Sequence, residues 1–105
     1  MNAMRTRVPN NRRPAHPGEL LKRLFLDPLD MTQRELAERL AVPYKRVNSL
    51  VHGRRSVTAE TALLLARLFD TTPEYWMNMQ AGYDLWEAQQ GESRDKLERV
   101  EPINS

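Results

Sequence analysis

Residues 32–53 read TQRELAERLAVPYKRVNSLVHG, and the fold turns on how this stretch is read. Thr32 is followed at T-x-x-E spacing by Glu35. In that spacing the hydroxyl caps the Glu35 N–H while the carboxylate reaches back to the Thr32 N–H. Leu36, Ala37 and Leu40 then share one face of a helix. Ala41-Val42-Pro43 makes the turn, and alanine there is consistent with an ordinary turn conformation. A further helix is expected from about Pro43 to His52, closed by Gly53 in the left-handed conformation. Two short helices on a tight turn, the second apolar on one side and polar on the other, are the sequence form of a helix-turn-helix. Its second helix enters the DNA major groove.

On a helical wheel of about 100° per residue, Val47, Leu50 and Val51 face inward. Lys45, Ser49 and His52 point most directly away, Asn48 and Arg46 sit on the flanks, and Tyr44 lies near the leading end. Tyr44, Lys45, Asn48 and Ser49 are the candidate base readers. Lys45 can donate to guanine O6 and N7, and Asn48 can pair with adenine. Ser49 permits close approach, and the Tyr44 ring can meet a thymine methyl. Thr32, Gln33, Arg46, His52, Arg54 and Arg55 are the candidate phosphate and positioning contacts, with the N–H groups at the start of the first of the two helices. For any single residue, phosphate and base roles are not separable without the docking angle. The competing reading is a plain helical hairpin with a solvated basic face.

Outside this stretch the pattern stays helical. Residues 1–15, MNAMRTRVPNNRRPA, are basic and turn-rich and read as a mobile arm. Pro17 suits a first helical turn, and Leu20, Leu21, Leu24 and Phe25 follow at helical spacing. Asp27-Pro28 is expected to end that helix, because proline disfavours the helical conformation of the residue before it. Thr58 opens a fourth helix, TAETALLLARLF, apolar over more than one stripe. It is therefore expected to pack on the helix-turn-helix and also on a fifth helix or a dimer mate. Thr72-Pro73-Glu74 starts the fifth helix, which runs to about Gln90 with Trp76, Met79, Tyr83 and Trp86 on one face. From Gly91 the chain is strongly charged, and a frayed tail or a weakly held helix is expected. The predicted architecture is all-α, with five helices: an arm over 1–15, a DNA-binding domain over 16–90 and a charged tail over 91–105.

Charge is unevenly placed in these 105 residues. Residues 1–58 hold twelve Lys/Arg against five Asp/Glu, while residues 59–105 hold four against nine, leaving a net charge of +2. The basic half is the one suited to a polyanion. Cysteine is absent, which excludes a disulfide framework and a thiolate metal site. No apolar run approaches the ~20 residues of a membrane span, so a cytoplasmic protein is expected. His16 and His52 are the only histidines, and no paired carboxylates stand at a diagnostic spacing. Neither an enzyme, a metal site nor a cofactor is expected. His16, just before Pro17, reads as a helix cap. Trp76, Tyr83 and Trp86 read as core, with a dimer interface as the alternative.

The helix-turn-helix resembles the Cro/C1-type (XRE) repressor family through Gln33, Ala37, Val42, Val47, Leu50 and Gly53. The wider frame is similar to HigA-type antitoxins, also known as VapI-like regulators or addiction-module antidote proteins. The segments that carry this likeness are His16-Pro17-Gly18-Glu19, Phe25-Leu26-Asp27-Pro28-Leu29, Thr58-Ala59-Glu60-Thr61-Ala62, Thr72-Pro73-Glu74-Tyr75-Trp76-Met77-Asn78-Met79-Gln80 and Tyr83-Asp84-Leu85. The resemblance implies a homodimer that binds a double-stranded operator and represses its own toxin–antitoxin operon. It also implies neutralisation of a HigB-type toxin, a small ribonuclease that cuts mRNA. An orphan repressor of the same fold, without a toxin partner, is the alternative. The sequence departs from the family in two places: Ala41 stands where glycine is common, and Tyr44-Lys45-Arg46 is bulkier and more basic than usual.

Overall fold

The computed structural model describes residues 13–91 and 93–103. Residues 1–12 of the expected arm lie outside them. The described residues form six helices and no strand.

Asp27-Pro28 does not end the first helix. Helix α1 is one run over residues 17–29, made of an α-helical turn Pro17–Leu21, a π turn Lys22–Leu26 and a last turn Asp27–Leu29. The Asp27 N–H bonds the Lys22 carbonyl, five residues back, so the helix widens just ahead of the proline. A proline ring normally collides with the carbonyl four residues earlier and leaves it without a donor. The wider turn relieves that conflict. It also changes the phase of the apolar face, because a repeat of five puts Leu21 and Leu26 on the same side. Both are buried, whereas Leu24, expected to face the core, is 53% exposed. The helix stops at Asp30, whose left-handed conformation turns the Met31 N–H onto the Leu26 carbonyl at 2.9 Å.

Helix α2, Gln33–Leu40, starts in the full capping box: Glu35 N–H to Thr32 Oγ1 at 3.0 Å and Thr32 N–H to Glu35 Oε1 at 2.8 Å. It ends at Ala41 with φ 58°, a left-handed conformation rather than the ordinary turn expected there. The reason is the closing geometry. The Ala41 N–H bonds the Glu38 carbonyl and the Val42 N–H bonds the Ala37 carbonyl at 3.0 Å, a Schellman pair that requires a left-handed residue. Pro43 caps helix α3, Tyr44–Val51, and Gly53 at φ 75° closes it through Arg54 N–H to the Ser49 carbonyl at 2.9 Å.

Helix α4, Ala59–Phe69, is capped by Thr58, and helix α5, Pro73–Gln90, by Thr72. Such caps are each worth about 0.5–2 kcal/mol. Helix α6, Ser93–Arg99, occupies the expected tail, with its described residues exposed and an Arg94–Glu98 pair at 3.6 Å along it.

The core draws on every helix but the last. Leu21 and Leu26 meet Leu36, Ala37 and Leu40 of α2, Val47, Leu50 and Val51 of α3, Ala62, Leu65 and Ala66 of α4, and Trp76 of α5. Trp76 is completely buried beside Phe25 (ring centroids 5.2 Å) and donates its indole N–H to Thr71 Oγ1 at 2.8 Å. Tyr83 and Trp86 are only half-buried. Helix α4 packs on α2 and α5, which explains its two apolar stripes, while Leu63 remains 59% exposed.

Gly18 governs where α3 sits. A Cβ on it would lie 1.8 Å from the Leu50 carbonyl oxygen, so α1 and α3 touch backbone to backbone at this point. Only glycine permits that approach.

Candidate nucleic-acid interface

Burial of Val47, Leu50 and Val51 decides which side of α3 faces outward. Lys45 and His52 are exposed, Tyr44 is 42% exposed, and Asn48 and Ser49 are partly so. Arg54 and Arg55 follow on an exposed loop. That loop is pinned from behind by a residue the sequence reading did not single out. Gln80 of α5 is buried, accepts the Val57 N–H at 2.8 Å and donates to Asp84 Oδ1 at 2.9 Å. The available signal was its spacing, one helical turn beyond Trp76 and so on the same face of α5.

Several candidate side chains are already engaged with one another. Asn48 Nδ2 donates to Gln33 Oε1 at 2.8 Å and lies 3.4 Å from the Tyr44 hydroxyl. One amide nitrogen thus links α2 to α3 across the outer face. His52 Nδ1 sits 2.9 Å from the Asn48 carbonyl oxygen, which can only accept, so Nδ1 carries the hydrogen of this bond and Nε2 is left facing outward. Arg34, also absent from the sequence-derived set, holds its guanidinium 5.0 Å from the Tyr44 ring centroid. Thr32, Gln33, Arg34 and Tyr44 together line a shallow concavity at the start of α2.

Two further expected phosphate contacts, Thr32 and Arg46, also have internal partners. Both the hydroxyl and the N–H of Thr32 are used by the capping box, which leaves the N–H groups of Gln33 and Arg34 as the donors without intrahelical partners. Arg46 turns toward α4 rather than outward. Its Nη2 donates to Glu60 Oε1 and to Thr61 Oγ1, each at 2.9 Å, and its side chain is 23% exposed. Arg46 therefore braces α3 against the start of α4.

His16 is the cap it was expected to be: Nδ1 accepts the Gly18 N–H at 2.9 Å. The ring is buried, meets Tyr83 edge-on at 4.9 Å and lies against Gly53 at the end of α3. Arg13 stacks over the other participant, with its guanidinium 5.8 Å from the Tyr83 centroid. Burial holds the His16 pKa below its ordinary value. The Asp84 carboxylate opposes this shift, Arg13 adds to it, and Glu19 opposes it weakly. Among the described residues no three His, Cys, Asp or Glu side chains converge as metal ligands. Nor, among these residues, is any helix long and apolar enough to cross a membrane.

A helix-turn-helix family model matches residues 21–76. The HTH-type transcriptional regulator YbaQ of Escherichia coli K12 is 41% identical over 93 residues, covering 88% of this chain and 82% of YbaQ. An addiction-module antidote protein of the HigA family from Coxiella burnetii superimposes with a TM-score of 0.82 at 41% identity, over 88% of this chain and 100% of that one. The Pseudomonas aeruginosa antitoxin HigA, solved with the higBA promoter, superimposes with a TM-score of 0.83 at 37% identity, over 87% and 99% of the two chains. With the helix-turn-helix frame and these likenesses over most of its length, the chain belongs to the HigA family of antidote proteins, helix-turn-helix DNA-binding regulators rather than enzymes.

Proposed function

We propose that this protein is a sequence-specific DNA-binding antitoxin of a type II toxin–antitoxin system. As a homodimer it represses its own operon, and it neutralises a HigB-type ribonuclease toxin in the cytoplasm. The observation that carries the DNA half is the outer face of α3, where exposed Lys45 and His52 flank the linked Tyr44, Asn48 and Gln33. Tyr44, Lys45, Asn48 and Ser49 read base edges in this reading. Gln33, His52, Arg54 and Arg55, with the N–H groups beside Thr32, hold phosphates. Arg46 contributes by bracing the helix. Residues 16–90 are the DNA-binding unit, flanked by a basic arm over 1–15 and a charged tail over 91–105.

The likeness to a HigA antitoxin solved with its promoter supports the operator assignment, and likeness to antidote proteins supports the toxin partner. A dimer of this class places its recognition helices about one helical turn apart, ~34 Å, on a palindromic site. Identity of 41% to YbaQ, a transcriptional regulator, favours a second reading, an orphan repressor without a toxin. One experiment separates the two. The full chain is titrated onto its own upstream DNA and, separately, coexpressed with the adjacent gene. Protected half-sites one turn apart together with a co-purifying small basic protein fit the antitoxin. Protection without any such partner fits the repressor. A chain that stays monomeric on its promoter and protects nothing defeats both.

A further inference from the structure

Arg34 has no role in the assignments above, yet it makes the only cation–ring contact on the outer face among the described residues. Its neighbours explain why it is there. Tyr44 is the first residue of α3 and is 42% exposed, so the core does not hold its ring. What holds it is the guanidinium of Arg34 at 5.0 Å and the Asn48 amide at 3.4 Å from its hydroxyl. Asn48 is in turn tied to Gln33 at 2.8 Å. Successive residues of α2, Gln33 and Arg34, thus engage residues one turn apart on α3, Asn48 and Tyr44. No carboxylate of the described residues lies within ion-pair distance of Arg34, which leaves the ring as its partner.

We propose that Arg34 is a positioning residue for base reading: seated on the Tyr44 ring, it fixes that ring against Asn48, so that Tyr44, Asn48 and Gln33 meet DNA as one prearranged unit. The proposal rests on the DNA-reading role of this face and deepens it. Ordering a side chain before binding removes an entropy cost that would otherwise be met in the complex. A misplaced tyrosine loses contact with the base edge it reads, and this loss is felt only at the base pairs under it. Specificity at those base pairs is then set by α2 as well as α3, so grafting α3 alone onto another helix-turn-helix does not carry it over.

The test uses the full-length chain and an operator obtained by selecting binding sites from random duplex DNA. Wild type, Arg34→Ala, Arg34→Lys, Tyr44→Ala and the double Arg34→Ala/Tyr44→Ala variant are titrated against every single-base-pair substitution of that operator. Arg34→Ala is expected to flatten the preference at the same base pairs as Tyr44→Ala, by about two- to fivefold, the loss that an exposed cation–π contact implies. The salt dependence of binding stays unchanged. Arg34→Lys recovers part of the preference, because an ammonium also binds a ring face, and the double variant discriminates no worse than Tyr44→Ala. A uniform loss on all sequences with a salt slope reduced by about one unit makes Arg34 a phosphate contact and overturns the proposal. Unchanged preferences in Arg34→Ala overturn it too. A wild-type chain that selects no sequence overturns the DNA-reading premise itself, and the proposal with it.

Discussion

Ala41→Gly is expected to make the folded protein more stable, which is unusual for a change to glycine. Ala41 sits at φ 58°, ψ 45° and closes α2. An L-residue there brings its Cβ close to the following carbonyl, at a cost of about 1–2 kcal/mol that glycine avoids. Glycine gains freedom in the unfolded chain, which takes back roughly 0.4–1 kcal/mol. The methyl group is exposed, so its removal forfeits almost no packing. The two closing hydrogen bonds, to the Glu38 and Ala37 carbonyls, are main-chain bonds and survive the substitution. Taking the middle of each range, the αL cost less the entropy term leaves a net gain of about 0.8 kcal/mol. For a folded unit of this size that raises Tm by roughly 2–8 °C. Thermal and urea unfolding followed by far-UV circular dichroism measure it, at one fixed protein concentration because association shifts the apparent stability. The urea m-value should not change. Ala41→Val, branched at Cβ, should be destabilising in the same assays. Equal or lower stability of Ala41→Gly would refute the claim that this turn carries left-handed strain.

Gly18→Ala should cost at least about 1–3 kcal/mol by overpacking, because the new Cβ would fall 1.8 Å from the Leu50 oxygen and force α1 off α3. Denaturation together with operator titration checks it, and a stable variant with intact binding would contradict the backbone contact. His16 gives a pH dependence of definite sign. Its folded pKa is lowered from 6.5, so the unfolded chain binds the proton more readily. The stabilisation is full above 6.5 and is lost progressively as pH falls through 6.5 to the lowered value. His16→Asn keeps a capping side chain without titrating, and its stability–pH curve should lack this slope. Lys45→Ala should weaken binding by about 1–3 kcal/mol, selectively at one base pair, if Lys45 reads guanine. An equal loss on all sequences would make it a phosphate contact. Arg54→Ala should lower the salt slope by about one unit, and an unchanged slope would remove Arg54 from the interface.

What could be read from the chain alone was whatever depends on neighbours a few residues away. The Thr32–Glu35 box, the Thr58 and Thr72 caps and the His16 cap all close over two or three residues. The apolar stripe of α3 repeats within a single helix, so its outward face followed from spacing. Everything that depended on how closely two helices approach had to come from the folded molecule. Arg46 turns inward because α4 brings Glu60 and Thr61 within 2.9 Å of it. Gln33 and Asn48, 15 positions apart, share a hydrogen bond because the turn folds α2 beside α3, and Arg34 reaches Tyr44 for the same reason. Gln80 pins a loop 23 residues before it. Gly18 is indispensable only because a carbonyl of another helix lies where its Cβ would be. The π turn at Pro28 and the left-handed Ala41 belong with these. At both, local preference pointed to an ordinary backbone, and the geometry needed to bury Leu26 and to close α2 onto Val42 prevailed. Periodicity and capping are short-range properties written into consecutive residues, whereas hydrogen bonds and steric limits between helices exist only once packing has set the distance between them.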